Sequence, residues 1–172
     1  CSIGRLYARH SKNFPSEEFD EINRLLNQKL TVAKSTTDTC AVIRAIGNTE
    51  ESSFYNKIND YRKNSDDAFI RAAALESLTK IDNDQSSDAI MDSFKNDKDA
   101  RVISEAVRLQ SSREENSEFT KEVASRIVTE NDLEIKNAMI DYFMNNGKND
   151  PNVKEALMET LKTETDPELR IK

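Results

Sequence analysis

An aspartate returns along this chain at near-regular intervals, each time at the head of the same pattern. Asp67-Ala-Phe-Ile-Arg71, Asp99-Ala-Arg-Val-Ile103, Asp132-Leu-Glu-Ile-Lys136 and Asp166-Pro-Glu-Leu-Arg170 align with the Asp as origin, and a more divergent copy starts at Asp38. Successive starts lie 29, 32, 33 and 34 residues apart. Seven residues after the Asp come Ala74, Ala106 and Met139, and eight after it come Leu75, Val107 and Ile140. The Asp38 copy places Val42, Ala45 and Ile46 at its own matching offsets. A period near thirty accommodates two short helices and two tight connections. An Asp at the helix start accepts from orphan amides and suits the positive end of the helix dipole. The small residue lets a neighbouring helix come close, and the next apolar side chain fills the layer between them.

A second helix follows in each unit, marked by Phe54, Ile58 and Tyr61, then Ala89, Ile90 and Phe94, then Phe119, Val123 and Ile127, then Val153, Ala156, Leu157 and Leu161. Breaks separate the helices at Gly47-Asn48, Asp82-Asn83-Asp84, Glu114-Glu115-Asn116 and the run from Asn145 to Pro151. Ahead of the repeats, Pro15 disfavours helix at Phe14, and Ser16 is a good N-cap. Phe19, Ile22, Leu25, Leu26, Leu30 and Ala33 then form one apolar stripe. The expectation is an all-α chain: a right-handed α-solenoid (an α-α superhelix) of about four antiparallel helix pairs plus an N-terminal helix. Residues 1–172 form a single domain, with an irregular segment over 1–15, the N-terminal helix over 16–35 and repeats over 36–172. The last repeat opens at Asp166 without its second helix, as expected of part of a longer protein. The alternative is that this short helix is itself the cap.

Composition supports the thin, repeated core that such a stack needs. Of the 172 residues 36% are hydrophobic and 33% charged, with only 3 Gly, 3 Pro and no Trp, which disfavours a turn-rich β fold. The net charge of −7 and the interleaving of both signs argue against nucleic acid as a partner, which would need a Lys/Arg stripe. No apolar run approaches the ~18 residues of a membrane span.

Ser65-Asp66-Asp67-Ala68-Phe69-Ile70-Arg71-Ala72-Ala73-Ala74-Leu75 resembles the first helix of a HEAT repeat. Arg71, Lys136 and Arg170 keep the basic position of that motif and Ile103 departs from it. The resemblance covers residues 36–172 and implies an armadillo-like helical array in which that basic residue is structural. Ala45-Ile46-Gly47-Asn48, lying between a first and a second helix, resembles something narrower: the superhelical domain of the vitellogenin-type large lipid-transfer proteins. That likeness implies the helical wrap of such a protein and not its lipid cavity.

Chemistry-bearing groups are sparse. His10 is the only histidine and Cys1 and Cys40 the only cysteines, so neither nucleophilic catalysis nor a zinc site has its parts. Gly4, Gly47 and Gly147 are isolated and form no phosphate cradle. Asp82-x-Asp84-x-Ser86-x-Asp88 starts like a calcium loop, but Ser87 and Ser93 stand where Gly and Glu are needed, so it reads as an acidic turn capping a helix from Ser86 or Ser87. No catalytic, cofactor or metal residue is assigned, and the chain is expected not to be an enzyme. Cys40 suits a buried small hydrophobe, though a bond to Cys1 is open. Cys1-Ser2 matches the lipid-bearing start of a mature bacterial lipoprotein, which would place the chain in a bacterial cell envelope, and equally matches a fragment boundary in a cytoplasmic protein.

A curved stack commonly offers its second helices as a binding surface. The expected partner face carries Tyr55, Tyr61, Lys95, Lys121, Arg126 and Lys154, with Lys57, Asp60, Asp92 and Glu159 beside them. Their mixed charge suits a protein or peptide, and the alternative is that they only keep the helices soluble. The expected function is a protein-binding scaffold within a larger protein. A lipid-transfer or lipid-binding role is the alternative, and an enzyme whose catalytic domain lies outside this stretch is the third possibility.

Overall fold

The computed structural model describes residues 16–82, 84–147 and 150–163. The irregular segment over 1–15 with Cys1 and His10, the side chains of Ser16 (the expected cap) and Phe19, Asn83 and the repeat opening at Asp166 lie outside what is described. Every regular element among the described residues is helical. The helices are α1 (Ser16–Val32), α2 (Thr36–Gly47), α3 (Tyr55–Asn64) after a 3-10 turn at Ser52–Phe54, α4 (Ala68–Ile81), α5 (Gln85–Asn96), α6 (Ala100–Ser111), α7 (Ser117–Ile127), α8 (Leu133–Asn146) and α9 (Pro151–Thr163). The chain divides into two compact units between Ala89 and Ile90, within α5. Like helices stack on like in both: α2 on α4 in the first, α6 on α8 and α7 on α9 in the second. The all-α, solenoid-like arrangement of paired helices is therefore the observed one.

The repeated Asp does the work expected of it at three positions. The carboxylate of Asp67 accepts from Phe69 N, that of Asp99 from Arg101 N, and that of Asp132 from Glu134 N and Ile135 N, so each is the N-cap of its helix. The first copy needs a correction. Its cap is Ser35, whose hydroxyl oxygen accepts from Asp38 N, while Ser35 Oγ donates to the Asp38 carboxylate at 2.7 Å. Asp38 thus sits three residues inside the start, as in a capping box. With caps at 35, 67, 99 and 132 the spacings become 32, 32 and 33, and the apparent 29-residue step disappears. A second correction concerns α5, which starts at Gln85: Asp82 accepts from both Asp84 N and Gln85 N, ahead of the expected caps at Ser86 or Ser87.

In the first unit Ile43, Ile46, Ile58, Ala73, Ala74, Leu75 and Leu78 are fully buried. Burial of each large aliphatic side chain contributes about 1.5–3 kcal/mol. α2 and α4 approach most closely at Gly47, where an added Cβ would meet Ser77 Cβ at 2.7 Å. Ser77 Oγ lies within bonding distance of Ile43 O (3.1 Å) and Ala73 O (2.8 Å), so its single proton is shared across the contact. Arg71 Nη1 donates to Ser65 O and Asp66 O, tying down the link into α4, a structural role as the motif implies. Cys40 is a free, buried thiol. Burial pushes its pKa up, with Arg44 opposing and Asp67 reinforcing, which leaves it unreactive.

α1 is covered less than its apolar stripe suggests. Leu30 is buried, but Leu25 is 42% exposed, and the helix ends at Val32, short of residue 35. Periodicity identifies an apolar face and says nothing about whether a neighbour covers it.

A short ion-pair chain crosses from α2 to α4. Arg44 Nε donates to Glu76 Oε2 at 2.9 Å and Lys80 Nζ to Glu76 Oε1 at 2.8 Å. Burial pushes the Glu76 carboxyl up, but the hydrogen bonds and charges of Lys80 and Arg44 outweigh it and hold the pKa below the ordinary 4.5. A carboxylate depressed in the folded state stabilises the fold above its unfolded pKa, and that contribution is lost as pH falls through the folded pKa. Glu76→Gln should therefore lower stability at neutral pH, by less than about 1 kcal/mol for so accessible a pair. The deficit should shrink once both states of the wild type are protonated in acid. Urea midpoints at neutral and acid pH check this, and an undiminished deficit in acid would rule out the ion pairs as its source.

In the second unit the core is built around aromatic rings. Phe119 lies 4.9 Å from Phe94 and 5.4 Å, edge-on, from Tyr142, whose own ring is 6.0 Å from Phe143. Thr120 Oγ1 donates to Asn116 O at 3.0 Å, which leaves its lone pair to accept the Tyr142 hydroxyl proton at 2.8 Å. Tyr142 is thereby buried without an unpaired hydroxyl.

Candidate partner-binding face

The second helices carry the residues singled out from the sequence, and the structure sorts them into engaged and exposed groups. Tyr55 is half-buried, and its hydroxyl donates to Gln85 O at 3.1 Å. Burial raises its pKa, with Arg62 opposing and Asp82 and Asp88 adding to the rise. Tyr61 is also half-buried. Lys57, half-buried, donates to Asn27 Oδ1 at 2.8 Å, and Asp60 and Asp92 accept from Asn64 and Asn96 one turn along their own helices. Lys95 pairs with Glu122 at 2.7 Å, from α5 to α7.

Arg126 is the most engaged of the set. Its Nη1 donates to Phe94 O at 2.6 Å, its Nε to Glu130 Oε2 at 2.9 Å, and its guanidinium lies 5.2 Å from the centroid of the Phe94 ring. Glu130 in turn accepts from Asn131 N and Asp132 N. Burial pushes the Glu130 carboxyl up, yet these bonds and Arg126 together hold its pKa below the usual range. The side chain that looked like a free cation in the sequence thus clips α7 to α5 and to the turn leading into α8.

Lys121 and Lys154 are exposed. Lys121 opens onto a groove between α7 and α9, lined by Ala124, Ser125, Val128, Asn152, Glu155, Ala156 and Glu159 as well. Its floor is made of small and apolar side chains. Lys121 stands on the α7 wall and Glu155 and Glu159 on the α9 wall, with Glu159 paired to Lys162 at 2.7 Å. The paired Glu159 raises the Lys162 pKa, and the charge of Glu155 adds to the rise. Apart from Lys121 and Glu159, the lining was not foreseen. Ala156 falls in the apolar stripe of its own helix, and only the stacking of α7 on α9 sets it beside Ala124 as one floor.

A second groove runs between α6 and α8, with charged rims from Arg101, Glu105, Arg108, Glu134 and Asp141. Arg108 pairs there with Glu105 on its own helix. Among the described residues there is no group of three or more His, Cys, Asp or Glu side chains that could hold a metal ion. Among them, too, no helix is long and apolar enough to cross a membrane.

With the geometry in view, comparison with known proteins points to a family. No curated protein and no solved structure matches the chain. The family described as the vitellogenin TPR domain matches residues 1–111, a span that ends with α6 at Ser111 and includes the Ile46-Gly47-Asn48 turn. That is well over half of the 172 residues, and the chain belongs to the vitellogenin TPR domain family.

Proposed function

We propose that this chain is a non-catalytic binding domain of a larger vitellogenin-type protein, and that it takes a protein or peptide segment along the groove between α7 and α9. The observation that carries this is the groove itself, with Lys121 on the α7 side and Glu155 on the α9 side of a floor that includes the buried Ala124 and Ala156. Small floor residues let a partner backbone come close, and charges on both walls give it a direction. Membership of a family described as a domain supports a place in a larger chain. Cap spacings of 32 and 33 and like-on-like stacking support a HEAT-like form of the helix pairs.

Lipid is the second reading. The family supports it, as does the exposure of Met144 (51%), Met158 (55%) and Leu161 (49%) in α8 and α9, apolar side chains left half in water.

A photo-cross-linker at Ser125 should label a partner through the wild-type groove. Lys121→Glu and Glu155→Lys should each cut that labelling by about tenfold, while reversing Arg24 on α1 should not. Labelling that survives both groove reversals would sink the protein-partner reading. Flotation with phosphatidylcholine vesicles that is lost in Met158→Glu and Leu161→Glu would favour lipid in its place.

A further inference from the structure

The link between α8 and α9 holds the only Asn-Gly step in the chain, Asn146-Gly147. Asparagine is a thermolabile residue, and its lability is greatest before glycine, where no Cβ hinders the following backbone nitrogen. That nitrogen attacks the side-chain amide carbon, forming an N–Cγ bond and expelling the side-chain nitrogen as ammonia. Water then opens the succinimide at either carbonyl and leaves aspartate or isoaspartate. No reactant other than water is consumed.

The fold opposes the first step in three ways. Asn146 is the last residue of α8, and Gly147 N already donates to Phe143 O at 2.9 Å, so helical geometry holds the nucleophile away from the amide carbon. Gly147 is buried, with Val153 Cγ2 and Phe143 Cδ1 at 3.0 and 3.2 Å from the place a Cβ would occupy, which leaves the turn little room to rotate. The Asn146 carboxamide oxygen accepts from Ser111 Oγ on α6 at 3.4 Å, and Ser111 Oγ accepts from Asn145 Nδ2 at 3.2 Å. Nucleophile and electrophile are each held by a different neighbour.

We propose that Asn146-Gly147 is a deamidation site gated by the last turn of α8, closed while that turn is packed and opened by its local unfolding. The reaction is irreversible, so the site records how often the turn opens. Its product also changes the fold. A carboxylate at residue 146 stands at the negative end of the α8 dipole, and isoaspartate adds a methylene to the backbone of the turn that seats Val153. Both loosen α9 and hence the α9 wall of the groove. The inference does not depend on what the groove binds.

Peptide mapping by mass spectrometry tests this on the full chain held in mildly alkaline buffer, with and without denaturing urea. Conversion at residue 146 should run at least about tenfold slower in the folded protein. Val153→Ala, which thins the packing on Gly147, should speed the folded reaction and leave the reaction in urea unchanged. Ser111→Ala serves the same purpose if Val153→Ala does not fold. Equal wild-type rates with and without urea would overturn the proposal. So would conversion confined to other asparagines, or a folded rate that neither variant raises.

Discussion

Replacing Phe119 with alanine should cost the second unit about 3–5 kcal/mol, the range for emptying a buried aromatic site. Phe119 is 1% exposed and lies between the rings of Phe94 and Tyr142, which come from α5 and α8, while its own helix is α7. One side chain thus joins three helices. Its loss removes both ring contacts, each worth about 0.5–1.5 kcal/mol beyond area, and leaves a void that three helices cannot all close upon. Against a total stability of about 5–15 kcal/mol for a domain, that is a large share. Urea unfolding followed by circular dichroism measures the loss. Amide exchange should place it in α7 and α8 while protection of α2 and α4 stays as in the wild type. Tyr142→Phe is the control: it keeps the ring and removes only the hydroxyl bonded to Thr120, at about 1 kcal/mol. If Phe119→Ala costs no more than that control, the ring is not the centre of the unit.

Local chemistry was readable from the sequence, and cross-helix geometry was not. Asp67, Asp99 and Asp132 were identifiable as caps because a cap involves only a side chain and the amides two or three residues on. Ser35 is hidden in a repeat aligned on aspartate, because a serine hydroxyl caps as well. Apolar period gave the buried faces of α5 and α7 but failed at Leu25 and Leu161, where no described neighbour covers the stripe. Tyr55 and Arg126 read as open in the sequence for a related reason. Both are long side chains whose polar ends reach a backbone carbonyl about thirty residues away, Gln85 O and Phe94 O, and no helical wheel contains that carbonyl. The groove was the least accessible from sequence, because its two walls meet only where α7 stacks on α9. The vitellogenin likeness rested on four residues around Gly47, and it is the one the family match upholds.

Gly47 shows why those residues carry information, and the expected result there runs against helix propensity. Gly47 is the last residue of α2 and its φ is not positive, so it needs none of glycine's conformational freedom. On propensity alone, alanine within a helix is favoured over glycine by about 1 kcal/mol. The neighbouring helix reverses the sign. A Cβ at residue 47 would lie 2.7 Å from Ser77 Cβ and 2.8 Å from both Ser77 Oγ and Ser77 Cα. A hydroxyl can rotate away, but Cα belongs to the backbone of α4, so α2 and α4 would have to separate. The cost of such overpacking is about 1–3 kcal/mol, and a branched side chain should exceed it. Gly47→Ala should therefore lower the urea midpoint of the first unit, and Gly47→Val should lower it further. Ser77→Gly tests the cause. By itself it removes the bonds to Ile43 O and Ala73 O and is destabilising. Combined with Gly47→Ala it should cost less than the sum of the two, because the Cβ and hydroxyl part of the clash is gone. Relief should be partial, since Ser77 Cα remains. An additive cycle, or a Gly47→Ala protein as stable as the wild type, would mean that α2 and α4 are not in contact at this point.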